Sequence, residues 1–491
     1  NLKTKEMEKI FNVKVVLLCL FIGTFILTSC NEDDELISQE SSDSVGPINK
    51  NAMLAFSSKE DIKEAVESET GIATRALTQN SQSGSILSLT DKVQANDPIL
   101  KEVSEEEKQI ILDEGMTYYD MFGCEDYIPS LSFAKLLNSN REIQLNDSVY
   151  KITEFGTLRA DLKNRLHLET AYKVLKADTA LALKNEDFIP VTAGVVLHPY
   201  KENVYLKDCS QPLTRTTASE IPTSNFKHYS AESSTFLGKI LGAIFGDRSV
   251  KHHEFSKGYR VNGSLYSYNY LVYYETGCFV SMSKKRGGFF KFINGWKDIN
   301  ADELFMQYNG VVMELNIDIP KGSLPTVPSN KKPEMASYSD MRVQGFDNVF
   351  HNTVDILGYN VKEKDLNQFI GQSSKQLYNI LRNWLGNRSA LEQHYGTTGQ
   401  VPAIRILTPD KVYVVIADDT YNPKNTKKFR KVFNAGTKLC ITYTPGSSLW
   451  STVLASVKST YKMPIKKLIG GEALLAGRLE NHWGGMYIKK N

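Results

Sequence analysis

The chain has 491 residues, with 58 basic and 56 acidic side chains and a formal net charge of +2. That balance argues against a nucleic-acid protein, which carries a basic face. The 41% hydrophobic and 10% aromatic content is globular, and the length suffices for two or three cored domains. No segment recurs at a fixed period, so neither a solenoid nor a propeller is indicated.

The first feature is an apolar run, Val15 to Leu27, flanked by Lys9 and Lys14, with Met7 as the expected start. At thirteen residues it is shorter than the ~18 a membrane-spanning helix needs. A basic flank, a short apolar core and small residues beyond it make a secretory signal. The run ends in Leu27-Thr28-Ser29-Cys30, which resembles the lipobox of bacterial lipoproteins. The resemblance implies cleavage between Ser29 and Cys30 and a diacylglyceryl group on the Cys30 sulfur. The next residues are Asn31 and the acids Glu32, Asp33, Asp34 and Glu35. They resemble the export tag of surface-exposed lipoproteins of Bacteroidota, which implies a membrane anchor at Cys30 and display on the outer face of the outer membrane. An acidic run is also an ordinary solvated start to a linker. Residues 31–52 hold almost no large apolar side chains and read as a flexible tether.

Beyond the tether, Ser58 and Asp61 form a capping-box-like start to a short helix, Ser58 to Glu69, and Ser104 with Glu107 forms a fuller one that opens a helix to about Glu114. Phe133 to Leu137 reads as a short apolar helix. Glu142 to Leu145 and Val149 to Thr153 flank Asn146-Asp147, which is hairpin chemistry. The stretch "FAKLLN", "EI", "VYKIT" and "GT" resembles a segment of secreted Bacteroidota proteins that carry a domain of unknown function. Leu158 to Leu183 shows helical spacing through Leu162, Leu166, Tyr172 and Leu175. Residues 201–225 read as a connection, and the apolar Phe236 to Phe245 as a buried helix or packed loop rather than a membrane-active one.

Residues 255–319 read as strands. "LYSYNYLVYY" places Tyr266, Tyr268, Tyr270 and Tyr274 at even spacing, which on one strand would line a single face. Phe289, Phe290, Phe292 and Trp296 follow beside Lys284, Lys285 and Arg286. This stretch resembles the same secreted group. Four prolines between Pro320 and Pro333 make an extended connection. The last part alternates helix and strand: an amphipathic helix over Glu363 to Leu385, a hairpin of 403–407 and 411–417, a strand over Thr437 to Tyr443, a helix over Leu449 to Val457 and a closing strand at "GGMYIK".

The expected layout is α+β and multidomain, with an α-rich N-terminal region, a β-rich middle and a mixed α/β C-terminal region. Its parts are a signal peptide at 1–29, a lipidated tether at 30–56, an α-rich region with a hairpin at 57–200, the connection at 201–225, an aromatic β region at 226–319, a proline-rich linker at 320–335 and an α/β region at 336–491.

Motifs for chemistry are few. There is no GxGxxG, P-loop, HExxH or GxSxG, and no CxxC pair, so no cofactor or metal is signalled. His252 and His253 are neighbours, which a strand would send to opposite faces; with Glu254 they read as a solvated turn sooner than a metal site. Asp418 and Asp419 end a strand and read as turn or capping residues sooner than calcium ligands or acid–base groups. Once Cys19 leaves with the signal and Cys30 takes lipid, Cys124, Cys209, Cys278 and Cys440 remain, as up to two disulfides or as free thiols.

The positive candidate is the aromatic set Tyr266, Tyr268, Tyr270, Tyr274 and Trp296, whose rings would stack on sugars or flat apolar surfaces of a glycan or protein ligand. The same tyrosines are also good packing residues for a half-buried sheet. The expected function is a non-catalytic surface lipoprotein that binds such a ligand or serves envelope assembly. The alternative is a secreted hydrolase of glycans or peptides.

Overall fold

The computed structural model describes residues 52–67, 86–184, 186–200, 206–208, 221–231, 250–287, 295–316, 332–335, 341–344, 354–358, 361–385, 389–408, 411–435, 440–443 and 466–490. The signal, the lipobox, the acidic run, residues 236–245 and the helix expected at 449–457 lie outside them. Sheets dominate a mixed α/β fold, with 45% strand and 24% helix among the described residues. No helix among them is long and apolar enough to cross a membrane.

The first region starts with β1 (Ala55–Phe56) and α1 (Lys59–Glu67). Ser58 and Asp61 cap α1 reciprocally, each side chain accepting from the other's backbone N–H. Ser104 caps α2 (Glu105–Asp113), its Oγ accepting from the Glu107 N–H and donating to the Glu107 carboxylate. Two short helices, α3 (Tyr118–Met121) and α4 (Leu131–Ala134), lead into the expected hairpin of β2 (Glu142–Leu145) and β3 (Ser148–Thr153). Asn146 turns this hairpin at φ 53°, a left-handed conformation that asparagine tolerates.

Next comes β4 (Gly156–Asp161), where helical spacing predicts a helix. Leu158 and Ala160 alternate into the core between β3 and its other neighbour, and sheet pairing overrides the local pattern. The helix α5 covers only His167–Ala177. Tyr172 and Leu175 are buried, whereas Leu166 before it is 86% exposed. With β5 (Ile189–Thr192) and β6 (Val195–Pro199), the sheet runs β1-β2-β3-β4-β6-β5. One face packs on α5 through Val149, Leu158, Leu168 and Leu197. The other packs Ile143 and Ile152 with Phe133 and Ile111.

The middle of the chain supplies β7 (Leu206–Asp208), β8 (Lys227–Ala231), β9 (Lys251–Ser256), β10 (Tyr259–Asn269), β11 (Tyr274–Lys285), β12 (Trp296–Asp298) and β13 (Ala301–Asn316). Then follow β14 (Glu334–Met335), β15 (Met341–Gln344), β16 (Val354–Leu357) and the helices α6 (Glu363–Leu366), α7 (Ser374–Trp384) and α8 (Ser389–Tyr395). The single helix expected over 363–385 is therefore two. Gly371 takes φ 69° between them, and Ser373 with Gln376 forms a new capping box.

The remaining strands are β17 (Ala403–Leu407), β18 (Lys411–Ile416), β19 (Asp419–Tyr421), β20 (Lys424–Thr426), β21 (Lys428–Ala435), β22 (Cys440–Tyr443), β23 (Lys466–Leu479) and β24 (His482–Lys490).

These strands interleave. One sheet runs β12-β11-β10-β9, and β21, from the last part of the sequence, pairs with β11. A larger sheet runs β14-β16-β17-β18-β13-β23-β24-β8-β7, with β19 and β20 also on β13. The two sheets face each other as a sandwich. Val261, Leu265, Cys278, Val280 and Met282 meet Leu304, Met306, Leu475, Met486 and Ile488. Gly263 lets the layers close, because a Cβ there would sit 2.5 Å from Leu475 Cδ1. Behind β16–β18, Leu366, Phe369, Leu377 and Leu381 of the helical layer cover Ile356, Ile404, Ile406 and Val415. The outer face of the β10–β11 sheet carries the N-terminal region.

Candidate functional site

The sequence "LYSYNYLVYY" is a hairpin, not one strand. β10 ends at Asn269, Tyr270 to Tyr273 form the turn with Leu271 at φ 68°, and β11 begins at Tyr274 opposite Asn269. Tyr266, Tyr268 and Tyr270 do form a ladder, with successive ring centroids 5.8 Å apart. Tyr274 is the correction to the expected four-residue stripe. Its register places it on the opposite face, where its hydroxyl bonds to Ser267 and Thr276. The turn shifts the alternation, and even spacing no longer means one face.

All four rings are interior, at 1%, 2%, 0% and 5% exposure for Tyr266, Tyr268, Tyr270 and Tyr274. Phe133 stacks on Tyr270 at 4.9 Å and on Tyr273 at 4.8 Å, and Tyr200 meets Tyr268 edge-on at 5.5 Å. Tyr268 donates to the Asp126 carbonyl at 2.7 Å and Tyr270 to the Tyr127 carbonyl at 2.8 Å. Tyr266 and Tyr273 both donate to Glu275, which also holds Arg430 at 3.0 Å. The ladder thus joins the N-terminal region to the sandwich. It is not an open face for a ligand, because its rings are covered and its hydroxyls engaged internally.

Trp296 shares this outer face but lies at the far end. It pairs with Lys285, eight residues along β11 from the partner of Tyr266, or about 26 Å. The Arg260 guanidinium sits 4.3 Å over its ring. The structure does not bring Trp296 to the tyrosines.

Between them lies a polar cluster that the sequence does not advertise. Asn262 donates to Ser281 at 3.1 Å and to Ser283 at 2.5 Å, and its carbonyl oxygen faces His252 Nδ1 at 2.8 Å. Ser283 donates to Asp298 at 2.9 Å, and Ser281 to Glu125 at 3.3 Å. Lys428 pairs with Glu125 at 3.2 Å. Burial would raise the Glu125 carboxyl, but Lys428, Ser281 and Arg260 outweigh it and hold it below the ordinary glutamate range. Asp298 goes the other way: burial, then the charge of Glu125, push it up to about 7. The only hint in sequence is the pair of small polar residues at 281 and 283, in register with Asn262 and in phase with the tyrosines.

Other sequence candidates resolve into structural roles. His252 and His253 point to opposite faces, His252 to Asn262 and His253 to the Gly485 N–H at 2.9 Å. Asp418 accepts from the Ser374 N–H at 2.6 Å and caps α7, and Asp419 accepts from Tyr421. Cys278 is a free thiol in the sandwich core, and burial pushes it far above the ordinary range. Cys124 is likewise free and is pushed up to about 12. Cys209 and the side chain of Cys440 lie outside the described residues. An open cleft of about 620 Å³ is lined by Asp147, Asp161, Leu162 and Lys163.

No family model, no characterised protein and no solved structure matches this chain.

Proposed function

We propose that the chain is a lipid-anchored protein displayed on the outer face of a Bacteroidota outer membrane, where it acts without catalysis, binding a protein ligand or serving envelope assembly. The observation that carries this reading is Leu27-Thr28-Ser29-Cys30 followed, after Asn31, by Glu32, Asp33, Asp34 and Glu35. The interior use of the tyrosine ladder turns the reading away from glycan capture on those rings. The test is expression of the full chain and of Cys30→Ala with metabolic palmitate labelling and membrane fractionation. The parent labels and stays with the outer membrane; the variant does neither. Retention and labelling of Cys30→Ala would end the anchor reading. Protease added to intact cells should degrade the parent and spare a variant with the four acids changed to alanine. Cross-linking on the same cells then identifies the envelope or host protein held.

One observation favours the second reading, a hydrolase of glycans or peptides. Burial and then the charge of Glu125 push the Asp298 carboxyl up to about 7 beside Ser283, the range a general acid needs. An activity screen with Asp298→Asn as control decides it: turnover that this substitution abolishes supports catalysis.

A further inference from the structure

The contact between the N-terminal region and the outer face of the β10–β11 sheet has two unlike halves. At one end it is aromatic and hydrogen-bonded through Tyr268 to Asp126 and Tyr270 to Tyr127. At the other it brings two carboxylates, Glu125 and Asp298, onto one relay of small polar side chains, Ser281, Asn262 and Ser283. Glu125 and the two tyrosine acceptors, Asp126 and Tyr127, are consecutive in sequence, so one short segment carries both the carboxylate and the two carbonyls of the contact.

We infer that this cluster is a proton-controlled latch, in which a proton held by Asp298 lets residues 118–128 stay docked and its loss sets two carboxylates against each other across the contact.

The surrounding charges define the sign. Facing the pair are His252 from β9, Arg260 from β10, Lys428 from β21, and Asp120 from the N-terminal region. Lys428 is in direct contact with Glu125, while Asp298 receives a hydroxyl from Ser283. Further along, Glu114 is held by Arg286 at 2.7 Å and Lys297 at 3.3 Å. Asp298, raised from 3.8 to about 7, contributes stability that is complete below its unfolded value and lost as pH rises through 7. Glu125 is lowered, so its contribution is lost only on acidification below the ordinary glutamate range. Docking is therefore tightest at about pH 4, between the ordinary aspartate and glutamate values, weakens from there up to about 7, and is level above it.

The experiment is hydrogen exchange on the full chain from pH 5.5 to 8.5, with protection factors normalised to the intrinsic rate at each pH and read on peptides spanning 118–128. Local opening of a docked element is what such protection reports. Protection should fall on the order of tenfold between pH 5.5 and 7 and level off above about 7. Asp298→Asn should abolish the fall, and His252→Gln should leave it in place. Ser283→Ala keeps the carboxyl and removes the hydroxyl that favours its ionised form, so it should move the levelling-off to higher pH. A flat parent profile, an unchanged fall in Asp298→Asn, loss of the fall in His252→Gln, or an unmoved levelling-off in Ser283→Ala each overturns the latch.

Discussion

The hydroxyl of Tyr270 donates to the carbonyl oxygen of Tyr127 at 2.8 Å, across 143 positions of sequence. Tyr270 is fully buried and stacked on Phe133, so its ring and its hydroxyl both serve the same contact. Tyr270→Ala should destabilise the protein by about 3–5 kcal/mol, the range for losing a buried aromatic ring. Tyr270→Phe keeps the ring and strands one buried carbonyl, at about 1–2 kcal/mol. Urea denaturation of the two variants beside the parent separates packing from hydrogen bonding. Equal losses would show that the ring contributes nothing beyond the bond.

Glu275 gathers three donors, the hydroxyls of Tyr266 and Tyr273 and the guanidinium of Arg430. Glu275→Gln leaves that guanidinium without its counter-charge. The expected loss is about 3 kcal/mol, the lower end for a broken buried pair, because Arg430 keeps some contact with water. Replacing both residues by Met should recover much of it. A double variant as weak as the single one would mean that the pair is not the source of the loss.

The two described free thiols should be inert in the folded protein. Burial pushes Cys124 up to about 12, and Cys278 lies in the sandwich core with its pKa raised further, so neither forms appreciable thiolate at pH 8. With Cys19, Cys30, Cys209 and Cys440 changed to Ser, a disulfide reagent at pH 8 should label neither thiol before denaturation and both after it. Rapid labelling of the native protein would contradict the packing.

Gly263 and Gly477 set the spacing of the sandwich. A Cβ at Gly263 would meet Leu475 Cδ1 at 2.5 Å, and one at Gly477 would meet Met282 Cε at 2.7 Å. Alanine at either should cost about 1–3 kcal/mol by overpacking. The flexible tip of Met282 can move aside more easily than the branched Leu475, so Gly263→Ala should be the worse of the two by thermal melting.

Much of the local structure was legible in the residues themselves. Ser58 with Asp61 and Ser104 with Glu107 read as helix starts, and Asn146 read as a turn, because capping and turn chemistry are satisfied within a few residues. Leu158 and Gly371 were misread for the opposite reason. One answers to its strand neighbours, and the other sits against Glu472 from the end of the chain.

By itself the sequence determined the helix starts and the alternation that puts Tyr266, Tyr268 and Tyr270 on one face. Only the tertiary structure decided what that face meets. Alternation specifies which side of a strand a residue lies on, but not what comes to cover that side. Here the cover comes from Phe133, Asp126 and Tyr127, more than a hundred residues earlier, and Lys428 and Arg430 arrive from a strand more than a hundred residues later. A buried contact of this kind has no local signature, because its energy comes from removing both surfaces from water together, and neither segment alone carries the record of the other.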